Sequence, residues 1–590
     1  MQRSELTGRV CGRRLRPVLL AAVLSMIGGA AFGAPVLYFS DITSGPKTGN
    51  SDGSGGRIPG RDGAIVTVWG VDLGSARGSS KVYCNGSEAA SYYFWGNAAV
   101  PADLSTFHKM QMVSFQVSRL AKDGNGQIYV VVNGRKSNSL NFTVRSGRIY
   151  FVKTNGDDNS GNGSWSKPWK TIPTAAQALA PGDIAYIGNG VDQTTETDSG
   201  ACVNLGSNGE KGKPKALVVY PAATSRVGNS GIERAFFNYS SDDDAYTSHW
   251  VVAKFTILTG TIGVAARTGY RVIGNFMTAP QGDGMDGVIN VEGNDVFVLG
   301  NELKNIGKAS SSKLYHGIYG KGLRKDDSPR ASTESNREIA WNYIHDSKCN
   351  RGINVYSEQE YAAFIEKHRI HDNVIVNQRG DGIMLGYYVT GDNWIYNNLI
   401  VNAGLGPEWS DDSSYHTGIR INTGHEARRN ARVYCYNNTL YGCGWSGAAD
   451  PASSGHLLIS PEAIATGTKA DIRNNIIYSK GAPYLASESV SLSSAAYRNC
   501  WFGKGAPPSW DTSAINQDPR FTSPGGKNFQ LKSGSPCLDA GSDLSSVVKR
   551  DLLGTVRPQG SAFDLGAYEY VSGTEGTKRR RVTIPDSTPR

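Results

Sequence analysis

Polar and apolar positions repeat along the second half of the chain. An asparagine precedes two mostly apolar residues at Asn275-Phe276-Met277, Asn301-Glu302-Leu303, Asn342-Tyr343-Ile344, Asn373-Val374-Ile375, Asn398-Leu399-Ile400, Asn438-Thr439-Leu440 and Asn475-Ile476-Ile477. The intervals are 26, 41, 31, 25, 40 and 37 residues. A second pattern alternates with the first: Asp286-Gly287-Val288, His316-Gly317-Ile318, Arg351-Gly352-Ile353, Asp381-Gly382-Ile383 and Thr417-Gly418-Ile419. Each repeat therefore holds one copy of each pattern. Periods of this size mark a solenoid, and short strands with glycine corners and no amphipathic helix mark a β-helix rather than a helical array. A basic coil of about 25 residues with insertions of roughly 6–16 residues accounts for the unequal intervals, and such insertions collect on one face. The asparagines are expected to stack as a ladder of amides, one per coil, across the ~4.8 Å spacing of neighbouring strands.

Ahead of the repeats, residues 34–146 show short β-rich runs between glycine turns, with Ala64–Gly70, Lys81–Tyr83 and Gln127–Gly134 the clearest, which predicts a small β-sandwich. The stretches Val66–Gly74 and Tyr129–Val144 resemble an immunoglobulin-like IPT/TIG domain, which implies a spacer or binding module. Next come a strand at Tyr150, a glycine and asparagine turn, an alanine-rich segment at 175–180 and a second strand near Ile184. This order resembles the N-terminal cap of secreted right-handed parallel β-helix proteins. The closing segment, with Asp539, Arg557 and Asp564, resembles the end of the same proteins, where those three residues would tie down the last coil. The predicted fold is all-β: a right-handed parallel β-helix over 147–570, behind the sandwich, with a basic tail at 571–590. The resemblance to the pectate-lyase-like superfamily implies a polysaccharide lyase, hydrolase or uronate epimerase.

Composition narrows the compartment and the partner. The 590 residues include 72 glycines and only 19% charged residues, with a formal net charge of +9. Residues 1–34 carry five arginines against one glutamate and residues 571–590 five basic against two acidic residues, so the body is close to neutral. No diffuse basic surface is left to suggest nucleic acid. Arginines 13, 14 and 16, the apolar run 17–27 and the small residues around Ala31 and Gly33 read as a cleavable secretory signal over 1–33, giving an extracellular or periplasmic protein. The run falls short of the ~20 residues a bilayer span needs. Seven cysteines remain beyond the signal, widely spaced, and read as buried thiols with room for one bridge. A capped solenoid needs no partner to cover its ends, which predicts a monomer.

Chemistry is expected on the strands of the second pattern. Counting from the residue before glycine, positions two and four are apolar and point inward (Ile318, Ile353, Val355, Ile383, Leu385, Ile419, Ile421). Alternation then sends Tyr319, Lys321, Asn354, Tyr356, Met384, Arg420 and Asn422 outward, with His316, Arg351 and Asp381 at the corner. A wall of cations and aromatics suits an acidic, uronate-containing polysaccharide: rings stack on sugars while arginine and lysine neutralise carboxylates. Cleavage by β-elimination requires proton abstraction beside that carboxylate. His316, Lys321, Arg351 and Tyr356 are the candidate catalytic residues, and Tyr319, Asn354, Asp381 and Arg420 the candidate substrate-binding residues. The base is either Lys321, its pKa lowered by neighbouring arginines, or a neutral His316. Arg351 and Asp381 could equally pair with each other across adjacent coils. Hydrolysis would need a second carboxylate, for which Asp286, two coils from Asp381 at about 10 Å, is the candidate. A non-catalytic glycan binder is the third reading. Calcium is the metal the acidic turns Asp157-Asp158, Asp242–Asp244 and Asp411-Asp412 could hold. His345-Asp346 and His371-Asp372 read as turn residues.

Overall fold

The computed structural model describes residues 34–197, 200–238, 247–322, 333–357, 364–407, 415–423, 431–445, 447 and 451–572. The expected signal, the tail beyond 572 and the acidic runs 242–244 and 411–412 lie outside the described residues.

Residues 36–144 form two packed sheets. Val36–Ser40, Ile65–Val71, Gln111–Gln116 and Ser91–Asn97 pair antiparallel in one. Leu140–Val144, Gly124–Val132 and Lys81–Cys84 form the centre of the other. The chain then enters a parallel β-helix at Ile149–Val152. A short helix, Ile172–Ala178, follows, with Thr171 accepting from the Thr174 amide, and it buries Ile172, Ala175 and Ala176 over the first coils as the alanine pattern predicts.

Three long parallel sheets make the solenoid, of eleven, nine and ten strands. The chain visits sheet I (for example Arg271–Ile273), then sheet III (Phe276–Ala279), then sheet II (Gly287–Val291), and repeats. Each sheet presents one column of apolar side chains inward. Val272, Val298, Ile339, Ile370, Ile395 and Ile472 lie in the column of sheet I. Ile289, Ile318, Ile353, Ile383, Ile419 and Leu457 form that of sheet II. The asparagine ladder turns the corner from sheet I to sheet III. Each amide Nδ2 donates to the Oδ1 of the next coil's asparagine at 2.9–3.0 Å, from Asn275 through Asn475. The ladder runs one coil further than the sequence pattern, to Asn499, which donates to Asp511 Oδ2 at 2.9 Å. The residue before each rung has positive φ, including Trp341 (55°), Asp372 (52°) and Asn397 (52°), so every coil turns at a left-handed corner.

The second pattern has an equally simple cause. A Cβ on Gly317, Gly352, Gly382 or Gly418 would point toward the core and lie 2.5–2.9 Å from a carbonyl oxygen of the next coil. Glycine is therefore required at these four coils, while Val288 and His456 occupy the same column at its two ends. The same feature explains why the corner residue before it points outward while the isoleucine after it points in.

Two of the three outer faces are roofed by the chain itself. The sandwich lies on sheet I, where Phe151, Tyr186, Val218, Val251, Ile273 and Leu299 join the sandwich core in one apolar cluster. The Tyr186 hydroxyl donates to the Ile65 carbonyl at 2.8 Å and accepts from the Ile65 amide at 2.7 Å. Sheet III is covered by the closing segment: Val374, Val376, Leu399, Val401 and Ile476 pack with Phe521, Phe529, Leu531, Leu552 and Leu565. The apolar pair after each asparagine thus serves two cores, one residue facing the cover and the next the interior. Arg557 pairs with Glu569 at 2.8 Å and donates to the Asp564 and Gly566 carbonyls, while Asp564 accepts from the Asp539 amide, so these residues fasten the closing segment. All seven described cysteines are buried, free thiols, without the one bridge the sequence left room for.

Candidate active site on sheet II

Sheet II differs from its neighbours: most of its outward positions from Gly287–Val291 to His416–Thr423 are polar or aromatic, Met384 being the exception in the central row. Strand pairing sets His316, Arg351 and Asp381 side by side, with Thr417 next in line. In the row above, Asn290, Tyr319, Asn354, Met384 and Arg420 are neighbours in order. The outer row holds Lys321, Tyr356 and Asn422.

Asp381 is the anchor. Its side chain is fully buried, its Oδ1 accepts from the Thr417 amide (3.0 Å) and hydroxyl (2.8 Å), and its Oδ2 lies 3.4 Å from Arg351 Nε and 4.0 Å from Arg420 Nη1. This corrects its expected role. A carboxylate without exposure, bonded to one threonine and facing two arginines, holds the cations in place. The pairing of Arg351 with Asp381 is present as expected.

The two arginines fan out from this anchor. Arg420, only 6% exposed, lies 3.3 Å under the ring of Tyr415. Arg351 lies 5.9 Å from the ring of Tyr356, which packs on Tyr387 at 4.7 Å. Tyr415 and Thr417 were not singled out in the sequence. Thr417 does carry a signal, since it occupies the corner position of its own repeat; Tyr415 lies just before the patterned strand and carries none.

His316 is buried (2% exposed), edge-on to Tyr319 at 4.9 Å, and its Nδ1 has no hydrogen-bond partner. Burial, then the charges of Arg351 and Lys321, push its pKa well below the usual imidazole value, so the ring is neutral at ordinary pH. Asn354, fully buried one coil on, has both amide atoms without a partner, as has Arg420 Nε. Such groups are costly to leave unmet, and three of them cluster on one face.

Lys321 has different neighbours from those expected. Its ammonium faces Asp286 at 3.6 Å and Glu292 at 3.5 Å, and Glu292 also pairs with Arg267 at 2.8 Å. The ammonium is thus ion-paired to two carboxylates instead of standing among arginines. The position of Asp286 is also corrected. Gly287, not Asp286, stands in register with His316, because the strand is offset by one residue there. Asp286 thus precedes a strand three coils from that of Asp381, roughly 14 Å away and beyond the range of a glycosidase pair.

The remaining titratable pairs serve packing. Asp157 caps the Asn159 and Ser160 amides, and Asp158 accepts from Lys170, Thr171 and the Thr171 hydroxyl. His345 and His371 are strand residues, not turn residues, and each bridges two carboxylates: Glu302 with Asp346, and Glu338 with Asp372. Among the described residues no three histidine, cysteine or acidic side chains converge as a metal site. Nor does any described helix have the length and apolarity to cross a membrane.

The fold and site define a capped parallel β-helix whose sheet II carries a cluster of cations and aromatic rings on its outward side. No known protein-family profile matches the chain. It is similar to pectate lyase L of Dickeya dadantii (strain 3937), 24% identical over 473 residues, spanning 73% of this chain and 93% of the relative. Pectate lyase L of Dickeya chrysanthemi is 25% identical over 468 residues, with the same coverage. Among solved structures, the pectate lyase Pel9A covers 72% of this chain and 96% of its own at 16% identity and TM-score 0.39, and a rhamnogalacturonan lyase covers 71% and 96% at 14% and 0.36.

Proposed function

We propose that this protein is a secreted polysaccharide lyase that cleaves an acidic, uronate-containing polysaccharide by β-elimination on the outer face of sheet II. The observation that carries the reading is the face itself. Its outward side gathers Arg351, Arg420, His316 and Asn354, the last three buried with unmet hydrogen-bonding atoms. The likeness to pectate lyase L supports the same chemistry.

In this reading Arg351 and Arg420 receive the uronate carboxylate. Asp381 fixes their positions, and their charge stabilises the carbanion-like character that develops as the proton beside the carboxylate is lost. Neutral His316 accepts that proton. The electron pair left behind forms the carbon–carbon double bond as the bond to the leaving glycosidic oxygen breaks, and Tyr356 supplies the proton to that oxygen. Lys321, held by Asp286 and Glu292, orients the neighbouring sugar. Asn354 binds a hydroxyl in the floor.

The test is ultraviolet absorbance during incubation of the purified protein with polygalacturonate and other uronate polymers, with and without added calcium. A rise in absorbance from the unsaturated product, abolished in Arg420→Ala, is expected. New reducing ends without absorbance would replace the lyase by a hydrolase. Retained polymer with neither signal would leave a binding protein.

A further inference from the structure

A cavity of about 350 Å³ lies in the first coils, away from the His316–Arg420 cluster, with all its lining between Phe151 and Ala223. Its walls are aromatic: Phe151, Trp165, Tyr186 and Tyr220, with Lys153 and Asn189 at the side. The rings support one another. Trp165 meets Phe151 edge-on at 5.0 Å and Tyr220 at 5.6 Å. Both domains hold them in place. The Trp165 amide donates to Ser51 Oγ at 2.9 Å, and the Tyr220 hydroxyl donates to Asp52 Oδ2 at 2.5 Å. Tyr93, on the sandwich, packs edge-on to Tyr220 and donates to the same carboxylate at 3.1 Å. The walls are therefore set before any ligand arrives, which lowers the entropic cost of binding.

Charge selects the ligand. Lys153 is the only charged residue lining the cavity. Its ammonium sits 3.2 Å over the Trp165 ring and donates to the Trp165 carbonyl at 2.7 Å, with no ion pair among the described residues. Partial burial lowers its pKa, and an incoming carboxylate would offset that cost. Asn155 and Asn189 add amide groups suited to hydroxyls. The volume is at the lower end for a ligand site and holds one or two sugar rings.

We propose that this cavity is a second, non-catalytic carbohydrate site for a short uronate-bearing oligosaccharide, stacking its ring on Trp165 and Tyr220 and pairing its carboxylate with Lys153. The choice of a uronate over another ring-bearing acid rests on the proposed function. The cavity belongs to the first three coils, whereas His316 lies about four coils further on, a separation of roughly 19 Å along the axis. One polymer could thus be held at a point remote from the cleaved bond.

The experiment is isothermal titration of the full protein with trigalacturonate and with a neutral galactose trisaccharide. Wild type should bind trigalacturonate at two sites. The Arg351→Ala/Arg420→Ala protein should keep one of them, and adding Lys153→Met, or Trp165→Ala, should weaken that one at least tenfold. Trp165→Phe, which keeps a ring and the packing, should bind within a few-fold of its parent and guards against mere unfolding. The neutral trisaccharide should bind the remaining site at least tenfold more weakly. A remaining site that ignores Lys153→Met and Trp165→Ala, or complete loss of binding in the arginine variant, overturns the proposal. Lyase activity read in parallel separates the two ideas: cavity binding without turnover sinks only the catalytic reading, and turnover without cavity binding sinks only this one.

Discussion

At the scale of single residues, the buried charges make two predictions. The first concerns His316. Because burial and the nearby cations Arg351 and Lys321 hold its pKa well below 6.5, the proposed base is already unprotonated at mildly acidic pH. The acid limb of kcat/KM should therefore fall below pH 6. Arg351→Lys keeps a cation beside the ring, while Arg351→Ala removes one and should move the limb upward, alongside a loss of at least a hundredfold in rate. An acid limb unmoved in Arg351→Ala, with activity surviving in His316→Ala, would transfer the base role elsewhere. The second concerns His371, which is buried but hydrogen-bonded at 2.7 Å to Asp372 and at 3.1 Å to Glu338. Burial opposes its charge, yet the two carboxylates prevail and raise its pKa to about 9. A folded pKa above the unfolded one means stability that is complete below about pH 6.5 and lost as pH rises through 9, worth roughly 3 kcal/mol. Thermal unfolding of wild type should drop between pH 7 and pH 10, and His371→Gln should lower stability at pH 7 and flatten that dependence. An equal drop in both proteins would count against the assignment.

At the scale of the strand and its corner, the two repeating patterns are two different constraints. Removing one rung of the ladder, as in Asn373→Ala, strips partners from the buried Asn342 amide and from the Ile339 and Asn398 side of the ladder at once. Each buried group left unpaired costs about 1–3 kcal/mol, so this single change should cost several and be visible as a large shift in a urea titration. Gly382→Ala should be as severe for a steric reason, since its Cβ would stand 2.6 Å from the Gly418 carbonyl oxygen. A fall of less than 1 kcal/mol in either variant would show that the coil can relax around the defect. These corners were legible in the sequence because a rung needs an amide and the four central corners beside the core need a glycine, whatever the length of the intervening loop. Asn499 escaped because Cys500 and Trp501, not an aliphatic pair, follow it. The one-residue offset at Asp286 escaped because a glycine there serves the corner position itself, so the pattern matched in the wrong register. The facing of Ile353 and Asn354 could be read from alternation, whereas the carboxylates around Lys321 come from neighbouring coils and have no fixed spacing along the chain.

At the scale of the whole molecule, sequence boundaries and physical boundaries differ. The sandwich strands end at Val144 and the solenoid begins at Ile149, yet a single apolar cluster runs from Val36 to Trp341 through both. The first strands of sheet I, such as Ile184–Ile187 and Trp250–Ala253, are apolar on both faces for this reason, a property that reads along the chain as a plain hydrophobic run and gives no hint of which face meets a second domain. The shared cluster also predicts what happens when the cover is removed. A protein spanning residues 147–572 would expose Phe151, Tyr186, Val218, Val251, Ile273 and Leu299, each worth about 1.5–3 kcal/mol when buried. It should be insoluble or oligomeric, as judged by light scattering, whereas the same fragment with Phe151, Val218 and Val251 replaced by serine or threonine should scatter less. Ile273→Lys in the full chain should likewise lower the unfolding free energy by several kcal/mol, because the charge would be buried in the apolar cluster that holds Trp69 and Phe39. If the wild-type fragment instead proved monomeric, with an unchanged melting temperature and intact binding on sheet II, the sandwich would be a separable accessory, and the shared core would contribute nothing to the solenoid's stability.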